Sequence, residues 1–266
     1  MLRTPLDEAL LRIGAIRAGG PWRRLDVVAQ TGSTNADLLA RAATEDIDGS
    51  VLIAEHQTDG RGRNGRTWTT VPRAQITLSV GVNAHGVPAD AWGWVPLAAG
   101  VAVVDAVASG TGVECGLKWP NDALVGGKKL AGILAEVAPT KSTIVVGIGL
   151  NTTLSAEDAR NPSATSLLDV GVSAPDRSRL VILLLSELGR RFEEWRASGG
   201  PGPRLIADYR KHCITVGSPV RAILPGGREV VGIARSVDEQ GRLCVETDGR
   251  TVPIAAGDVT HIRPAR

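Results

Sequence analysis

Cysteine, histidine and lysine are all scarce in this chain of 266 residues. The three cysteines (Cys115, Cys213 and Cys244) are odd in number and have no CxxC spacing, which argues against a disulfide framework and the usual zinc sites. The four histidines are scattered along the sequence and form no zinc-binding pattern either. We therefore expect a reduced, cytoplasmic protein without a structural metal.

The chain also lacks an excess of charge and a long hydrophobic run. Thirty basic and 28 acidic residues leave a net charge of only +2, whereas a general binder of nucleic acids or membrane surfaces needs a concentrated basic field. The N-terminus shows no signal-peptide pattern, and the apolar run at residues 180–185 is too short to span a bilayer. We expect no membrane association.

The few lysines are concentrated in one segment. Three of the five lie within residues 118–136, KWPNDALVGGKKLAGILAE, where the Gly126-Gly127 pair is typical of a tight hairpin turn. Lysine beside Asn and Asp suggests a site for a nucleotide phosphate and a metal ion. A charged hairpin at the edge of a sheet explains these residues equally well when they are considered alone.

Secondary-structure patterns divide the chain near residue 214. Residues 1–214 mix helical and strand patterns, and Thr34 with Asp37 fits a capping box at the start of one helix. Residues 215–266 contain only short strands separated by turns, which predicts a five-stranded barrel of SH3-like size. We expect two domains with these bounds.

Residues 60–65 spell GxGxxG, but their context does not fit a dinucleotide site. A strand pattern precedes the motif, and another strand pattern follows where a helix is needed. What remains is a glycine-rich loop with Arg61, Arg63 and Arg66, whose guanidinium groups can surround an anion. We favour an anion-binding loop over a solvated surface loop. Trp68 fits either a ligand-covering role or a place at the rim of the core.

Several short polar motifs fit either a site or ordinary secondary structure. Residues 33–35, Ser-Thr-Asn, are typical of a helix cap and also of a helix N-terminus that holds a polar ligand. Gln57, at a strand end, is equally ambiguous. Asn121, Asp122 and Asn151 fit oxygen ligands for Mg²⁺, and they also fit turns. No Walker A or kinase signature occurs, so a nucleotide site here is of another kind.

Together, these motifs resemble those of one family, the biotin protein ligases, also called biotin–[acetyl-CoA carboxylase] ligases. The resemblance covers about residues 25–263 in the family's order, and the arginine loop followed by KWPND and GKKLAGIL is highly specific. It implies an α+β fold with a mixed β-sheet catalytic domain, flanking helices as in class II synthetases, and a C-terminal SH3-like barrel. The segments that carry it are GSTN (32–35), EHQTDGRGRNGRTW (55–68), residues 118–136, VVGIGLN (145–151) and the small β C-terminus.

The resemblance implies a reaction in two steps with Mg²⁺ as cofactor. The biotin carboxylate attacks the α-phosphate of ATP to give biotinyl-5′-AMP and pyrophosphate. The amine of one lysine on a biotin carboxyl carrier domain then attacks the mixed anhydride. Lys129 and Arg61 would stabilise the developing charge on phosphorus. Asp122 would take the proton of the acceptor lysine, bind metal or orient its neighbours.

The resemblance also assigns binding residues. Residues 161–166 would form the loop on the adenine side. By resemblance, biotin would contact Ser33, Thr34, Asn35, Gln57, Gly60, Arg61, Trp68, Lys129 and Gly132; ATP would contact Arg63, Arg66, Trp68, Lys118, Asn121, Asn151, Ala164, Thr165 and Ser166; and Mg²⁺ would be held by Asp122 and Asn151.

Three other functions compete with this interpretation. A lipoate- or octanoate-handling ligase or transferase would share the fold, although the arginine loop and KWPND favour biotin. A non-catalytic biotin or adenylate sensor is disfavoured because Lys129 and Asp122 are both present. Nucleic-acid binding through the arginine loop is disfavoured by the balanced charge.

Roughly two dozen residues precede the first strand, too few for a helix-turn-helix module, so we expect a monofunctional ligase without direct DNA binding.

Overall fold

The chain folds into a seven-stranded sheet followed in the sequence by a five-stranded sheet. The structure is a computed structural model that describes residues 3–139, 143–159, 161–224, 226–255 and 258–261. Helices flank the larger sheet, whereas the smaller sheet is built from antiparallel strands alone. The predicted α+β fold, a mixed sheet with helices and a small C-terminal β unit, is confirmed.

The larger sheet has the strand order β1-β2-β3-β7-β6-β5-β4. Strands β1 and β2 run parallel, and the other neighbouring pairs run antiparallel. The central strands β2, β3 and β7 are buried along almost their whole length, as expected where helices cover both faces. The strands are β1 (Arg24–Val28), β2 (Ser50–Ala54), β3 (Gln75–Asn83), β4 (Gly116–Lys118), β5 (Asp122–Val125), β6 (Lys128–Val137) and β7 (Thr143–Asn151).

The hydrophobic residues of the larger sheet are divided between two clusters, one on each face. Leu52 packs with Leu38 of helix α2 in the smaller cluster, whereas Val51 and Ile53 belong to the larger one. Alternate residues of a strand face opposite sides, so α2 covers one face and the larger core covers the other. The helices are α1 (Glu8–Ala15), α2 (Thr34–Arg41), α3 (Val95–Thr111), α4 (Ala156–Ala159), α5 (Arg177–Ala197) and α6 (Pro203–His212).

Helix α3 forms the centre of the larger core. It continues a 3-10 helix at Ala89–Trp94 and is apolar around most of its circumference. It packs against α5, α6 and strand β6. Among the described residues, Ala89–Thr111 is the one helical stretch long and apolar enough to cross a membrane, and most of it is buried within the protein. A helix apolar on all sides is typical of a protein core as well as of a membrane span.

The smaller sheet follows α6 and has the order β11-β10-β9-β8-β12. Its strands alternate between buried and exposed residues, as in β8, where Val220 and Ala222 face inwards. Burial on alternate positions is typical of a sheet that covers a core on one side. The strands are β8 (Pro219–Ile223), β9 (Glu229–Val237), β10 (Leu243–Thr247), β11 (Arg250–Ile254) and β12 (Asp258–His261).

Two local predictions had different outcomes. The Gly126-Gly127 hairpin is confirmed, because both glycines have positive φ (57° and 77°) and join antiparallel strands β5 and β6. The capping box at Thr34 and Asp37 is wrong. Ser33 has extended backbone angles and accepts the Ala36 N–H, so it is the N-cap. Asp37 therefore lies one position too far along the helix for a capping box.

Candidate active site

A cavity of about 470 Å³ opens on the face of the larger sheet that α2 covers. Glycines form much of its floor: Gly149 on β7 lies opposite Gly132 on β6, and Gly147 lies two residues along β7. Without side chains these residues leave room above the sheet. The cavity brings together fourteen of the eighteen predicted site residues: Ser33, Thr34, Asn35, Gln57, Arg61, Arg63, Arg66, Trp68, Asn121, Asp122, Lys129, Gly132, Asn151 and Ala164.

The buried end of the cavity is a hydrogen-bonded group of small polar side chains. Thr34 donates its backbone N–H to Oε1 of Gln57 (2.8 Å), and its hydroxyl lies 3.0 Å from the same oxygen. That hydroxyl is also 2.7 Å from Oγ of Ser79, which in turn donates to Oδ1 of Asn35 (2.6 Å). All four side chains are buried. These bonds fix the shape of this end before any ligand arrives.

Asn35 is held on both sides of its carboxamide. Its Nδ2 donates to the carboxylate of Glu136 (2.8 Å) and to the backbone oxygen of Leu134 (3.3 Å), both on β6. Its Oδ1 lies so close to β7 that a Cβ atom at Gly147 would be 2.2 Å away. In this structure Asn35 therefore ties the start of α2 to the sheet and supports the neighbouring Thr34.

The arginine loop folds back on itself as a small hairpin. Trp68 donates its backbone N–H to Gly60 O (2.7 Å), and Gly62 donates to Arg66 O (2.7 Å). Residues 63–65 form a 3-10 turn at the tip. A helix does not follow the glycines, which confirms that the motif is not a dinucleotide fingerprint. Arg61 and Arg66 are exposed at the cavity, so the hairpin presents guanidinium groups to a ligand.

The ring of Trp68 lies against the glycine floor. A Cβ atom at Gly149 would be 2.4 Å from Cε2 of the indole, and one at Gly132 would be 3.2 Å from Cζ3. Trp68 Nε1 is buried and has no hydrogen-bond partner among the described residues. An unpaired buried donor costs about 1–3 kcal/mol, so a ligand acceptor that reaches it, or a shift of the ring, would be favourable.

Lys129 and Asp122 form an ion pair inside the cavity. Lys129 Nζ is 2.6 Å from Asp122 Oδ1, and it also lies 5.4 Å from the centre of the Trp68 ring, within range of a cation–π contact. The two residues come from neighbouring strands β6 and β5. Within the described part of the chain, the wall contains four basic side chains and a single carboxylate. This excess of positive charge suits a ligand that carries several negative charges.

The backbone of Lys129 also anchors the predicted adenine-side loop. Lys129 donates its N–H to Ser163 O (2.7 Å) and accepts the Thr165 N–H (2.9 Å). Asn151 continues this cross-link, because its Nδ2 donates to Thr165 O (2.8 Å) and its Oδ1 accepts from Nε2 of Gln75 (3.0 Å). The carboxamide oxygen of Asn151 is thus used inside the protein, whereas the Asp122 carboxylate lines the cavity.

Four predicted site residues lie outside the cavity wall. Gly60 supports the site indirectly, because a Cβ atom there would be 2.3 Å from Trp68 O and 3.0 Å from Gln57 Nε2. Thr165 and Ser166 are buried behind Ala164. Lys118 ends β4, where it pairs with Asp122 of β5, and its charge acts on His261 in the smaller sheet.

The structure adds residues that the sequence motifs did not identify. Ser79 and Gln75 lie on β3, and their polar groups hold the two ends of the cavity. Gly147 and Gly149 form the floor. The available signals were polar residues within an apolar strand and glycines at alternate positions of VVGIGLN, which leave one face of a strand bare.

Comparison with known proteins identifies the family. The chain matches the model of the biotin/lipoate A/B protein ligase family over residues 27–152 and that of the biotin protein ligase C-terminal domain over residues 215–261. It is 60% identical over 266 residues to the biotin–[acetyl-CoA-carboxylase] ligase of Mycobacterium tuberculosis, with 98% of each chain covered. The chain belongs to the biotin protein ligase family. The resemblance inferred from its motifs is confirmed.

More distant members of the biotin protein ligase family agree. The bifunctional ligase/repressor BirA of Escherichia coli is 33% identical over 234 residues, which cover 86% of this chain and 71% of BirA. The solved biotin protein ligase of Aquifex aeolicus in complex with biotin and ATP has a TM-score of 0.78 and 22% identity. That match covers 91% of this chain and all of the Aquifex chain, and it shows that the fold is shared.

Proposed function

We propose that this chain attaches biotin to one lysine of a biotin carboxyl carrier domain of an acyl-CoA carboxylase, using ATP and forming biotinyl-5′-AMP. One observation carries the proposal. A single cavity joins a buried polar end, Lys129 and the arginine loop, in a chain 60% identical to the biotin–[acetyl-CoA-carboxylase] ligase of M. tuberculosis.

The buried end suits the ring head of biotin, whose ureido group has two N–H donors and one carbonyl acceptor. Ser33, Thr34 and Gln57 offer hydroxyl and amide groups in the wall. Oε1 of Gln57 is occupied by Thr34, so its amide N–H₂ lies on the other side, beside Gly60. A site of fixed donors and acceptors discriminates against a ring that cannot satisfy them. The dithiolane of lipoate lacks such groups.

The open end suits the first chemical step, in which two anions meet. An oxygen of the biotin carboxylate bonds to the α-phosphorus, and the bond to pyrophosphate breaks. Lys129 is proposed to leave Asp122 and bridge the carboxylate and the α-phosphate, with Arg61 beside it. Arg63 and Arg66 hold the outer phosphates. Fixed cations reduce the repulsion between the anions and stabilise the charge that develops in the transition state.

Asp122 is the side chain best suited to the proposed Mg²⁺. Its carboxylate lines the cavity, whereas the oxygen of Asn151 already accepts a hydrogen bond from Gln75. Among the described residues, no three His, Cys, Asp or Glu side chains cluster as a metal site. Mg²⁺ commonly binds through one or two carboxylates together with phosphate oxygens and water. The ion would neutralise phosphate charge when bound.

In the second step, the lysine amine of the carrier domain bonds to the acyl carbon and the bond to AMP breaks. The anhydride must be kept from water until that lysine arrives. Trp68 and the 161–166 loop flank the glycine floor and Lys129, so they are placed to cover it. Asp122 is proposed to orient Lys129 or to accept the proton that the amine loses.

We assign residues 1–214 to the catalytic domain and residues 215–266 to the SH3-like domain, of which residues 225, 256–257 and 262–266 lie outside the described part. We place the enzyme in the cytoplasm, without membrane association. The balanced charge of the chain supports the absence of direct DNA binding.

ATP–pyrophosphate exchange tests the proposal. Purified protein with Mg²⁺ is expected to exchange label in the presence of biotin, not in the presence of lipoate. Exchange with lipoate alone would keep the acyl-adenylate chemistry and overturn the substrate. Binding of biotin without exchange would favour a sensor.

A further inference from the structure

Two tryptophans of the catalytic part donate their indole N–H groups to one turn of the smaller sheet. Nε1 of Trp94 donates to Asp238 O (3.0 Å), and Nε1 of Trp119 donates to Gly241 O (3.0 Å). Both side chains are at most 2% exposed. The turn at residues 238–241 is therefore held by two indole hydrogen bonds from buried side chains.

The turn also approaches the catalytic part very closely. A Cβ atom at Gly93 would lie 2.2 Å from Gln240 O, and one at Gly241 would lie 2.7 Å from the carbonyl carbon of Gly93. Gly241 has a φ of 77°, a conformation that favours glycine. Side chains at these positions would force the two parts away from each other.

The backbone of Trp119 is fixed from the same direction. Its N–H donates to Oγ1 of Thr215 (3.0 Å), a completely buried residue at the start of the C-terminal part. Oγ1 of Thr215 is in turn 3.0 Å from Nε2 of His261 on β12. Side chain and backbone of Trp119 are thus both bonded to residues beyond position 214.

Trp119 precedes two residues of the active-site wall, Asn121 and Asp122, by two and three positions in the chain. Asn121 donates Nδ2 to Ile133 O (2.9 Å), accepts from Arg63 (3.4 Å) and lines the active-site cavity together with Asp122. A second cavity of about 380 Å³, lined by Trp119 and Pro120, lies beside the turn. With open space beside Pro120 and Asn121, the hydrogen bonds of the turn contribute to its position together with the packing of the buried Trp119 side chain.

We propose that Trp119 is a positioning residue for adenylate formation. The 238–241 turn and Thr215 hold Trp119, and Trp119 sets the place of Asn121 and Asp122 at the phosphate end of the cavity. The C-terminal part thereby acts on the nucleotide without touching it. This inference rests on the proposed function.

A matched pair of variants tests the proposal. Trp119→Phe and Trp94→Phe each remove one indole N–H to the same turn, but helix α3, which follows Trp94, has no residue in the cavity wall. We expect similar decreases in Tm for both variants. We expect Trp119→Phe to lower kcat/KM for ATP in the exchange reaction by about tenfold or more, since small displacements of reacting groups are costly. Trp94→Phe is expected to stay within about twofold of the unsubstituted chain.

Two further readouts separate positioning from general damage. The affinity for biotin, measured by calorimetry without ATP, should stay within about twofold in Trp119→Phe because the ring end is remote from the turn. Thr215→Val, which removes the acceptor of the Trp119 N–H, should reproduce the loss in kcat/KM for ATP, and Thr215→Ser should retain activity. If Trp119→Phe does not fold, the comparison of Thr215→Val with Thr215→Ser still tests whether the hydrogen bonds of Trp119 position the phosphate end of the cavity.

The possible failures are distinguishable. Equal losses of kcat/KM for ATP in Trp119→Phe and Trp94→Phe would overturn the positioning role. So would a loss of biotin affinity in Trp119→Phe as large as its loss of kcat/KM for ATP. Absence of exchange in the unsubstituted chain would overturn the proposed function, and the inference with it.

Discussion

The two ends of the active-site cavity are built in different ways. At the ring end, Thr34, Asn35, Gln57 and Ser79 are buried and hydrogen-bonded to one another or to the sheet. At the phosphate end, charged side chains surround an open region, and Arg61 and Arg66 are exposed. One end offers a fixed shape, and the other offers positive charge.

This difference indicates how each end would choose its ligand. A buried polar end rejects a ligand that leaves its remaining donors and acceptors unpaired, at a cost of about 1–3 kcal/mol for each group. An exposed cationic end attracts any polyanion, and salt weakens that attraction. Specificity for the acyl group should therefore come from the ring end, and rate should come from the phosphate end.

Lys129→Ala should have the largest effect, because Lys129 lies where the two ends meet. We expect a loss of at least ~100-fold in the rate of ATP–pyrophosphate exchange, as for other groups that stabilise transition-state charge. The matched control is Lys128→Ala, which removes the exposed neighbouring lysine outside the cavity wall. Equal rates in both variants would contradict the catalytic role of Lys129.

Thr34→Val should have the next largest effect, confined to the ring end. The substitution removes the hydroxyl that contacts Gln57 and Ser79. We expect the Kd for biotin to rise by about 10- to 100-fold, with little dependence on salt. Calorimetric titration measures the change, and Thr34→Ser, which keeps the hydroxyl, should bind biotin within about threefold of the unsubstituted chain. Unchanged binding by Thr34→Val would show that this end does not select the ring.

Arg66→Ala should have a smaller effect, confined to the phosphate end. The side chain is exposed, so its attraction for phosphate is screened by water and ions. We expect the KM for ATP to rise by about 3- to 10-fold at low salt and less at high salt, with biotin affinity unchanged. Steady-state kinetics of the exchange reaction at two ionic strengths measure the KM for ATP. A loss of biotin affinity as large as that of Thr34→Val would remove the distinction between the ends.

His261 should contribute the smallest effect, on stability alone. Burial, together with the nearby charge of Lys118, lowers the pKa of His261 from its ordinary value of 6.5. Above that value the side chain is neutral in both folded and unfolded states. As the pH falls below 6.5, the unfolded state takes up a proton before the folded state does, so stability is lost.

The variant His261→Gln should reduce this pH dependence. We expect the decrease in Tm from pH 7.5 to pH 5.5 to be smaller in this variant, by about 1–2 °C, than in the unsubstituted chain, with biotin affinity unaltered at pH 7.5. Thermal unfolding of both proteins at pH 7.5 and pH 5.5 measures this difference in Tm. An identical pH dependence in the two proteins would show that this histidine does not titrate differently on folding.

The parts of the site that the sequence predicted are those that depend on neighbours in the chain. The Gly126-Gly127 turn forces a hairpin, and the hairpin pairs Asp122 with Gly132 and brings Lys129 beside Asp122. Local turn chemistry fixes this geometry. The arginine loop was likewise recognisable from its glycines and its context.

The parts that were missed depend on contacts distant in the sequence. Ser79 supports Asn35 across 44 residues, and Gln75 holds Asn151 across 76. No local pattern specifies which buried polar residues meet. Lys118 shows the opposite problem: it begins the KWPND motif and pairs with Asp122 in the sheet, yet it is not part of the cavity wall.

Order-of-addition labelling tests most directly whether the cavity makes and protects an acyl-adenylate. The enzyme is first incubated with labelled biotin, ATP and Mg²⁺. Free nucleotide is then removed, and a biotin carboxyl carrier domain is added. We expect rapid transfer of about one label per enzyme to a single carrier lysine without further ATP. Transfer that begins only when ATP is added again would contradict this expectation.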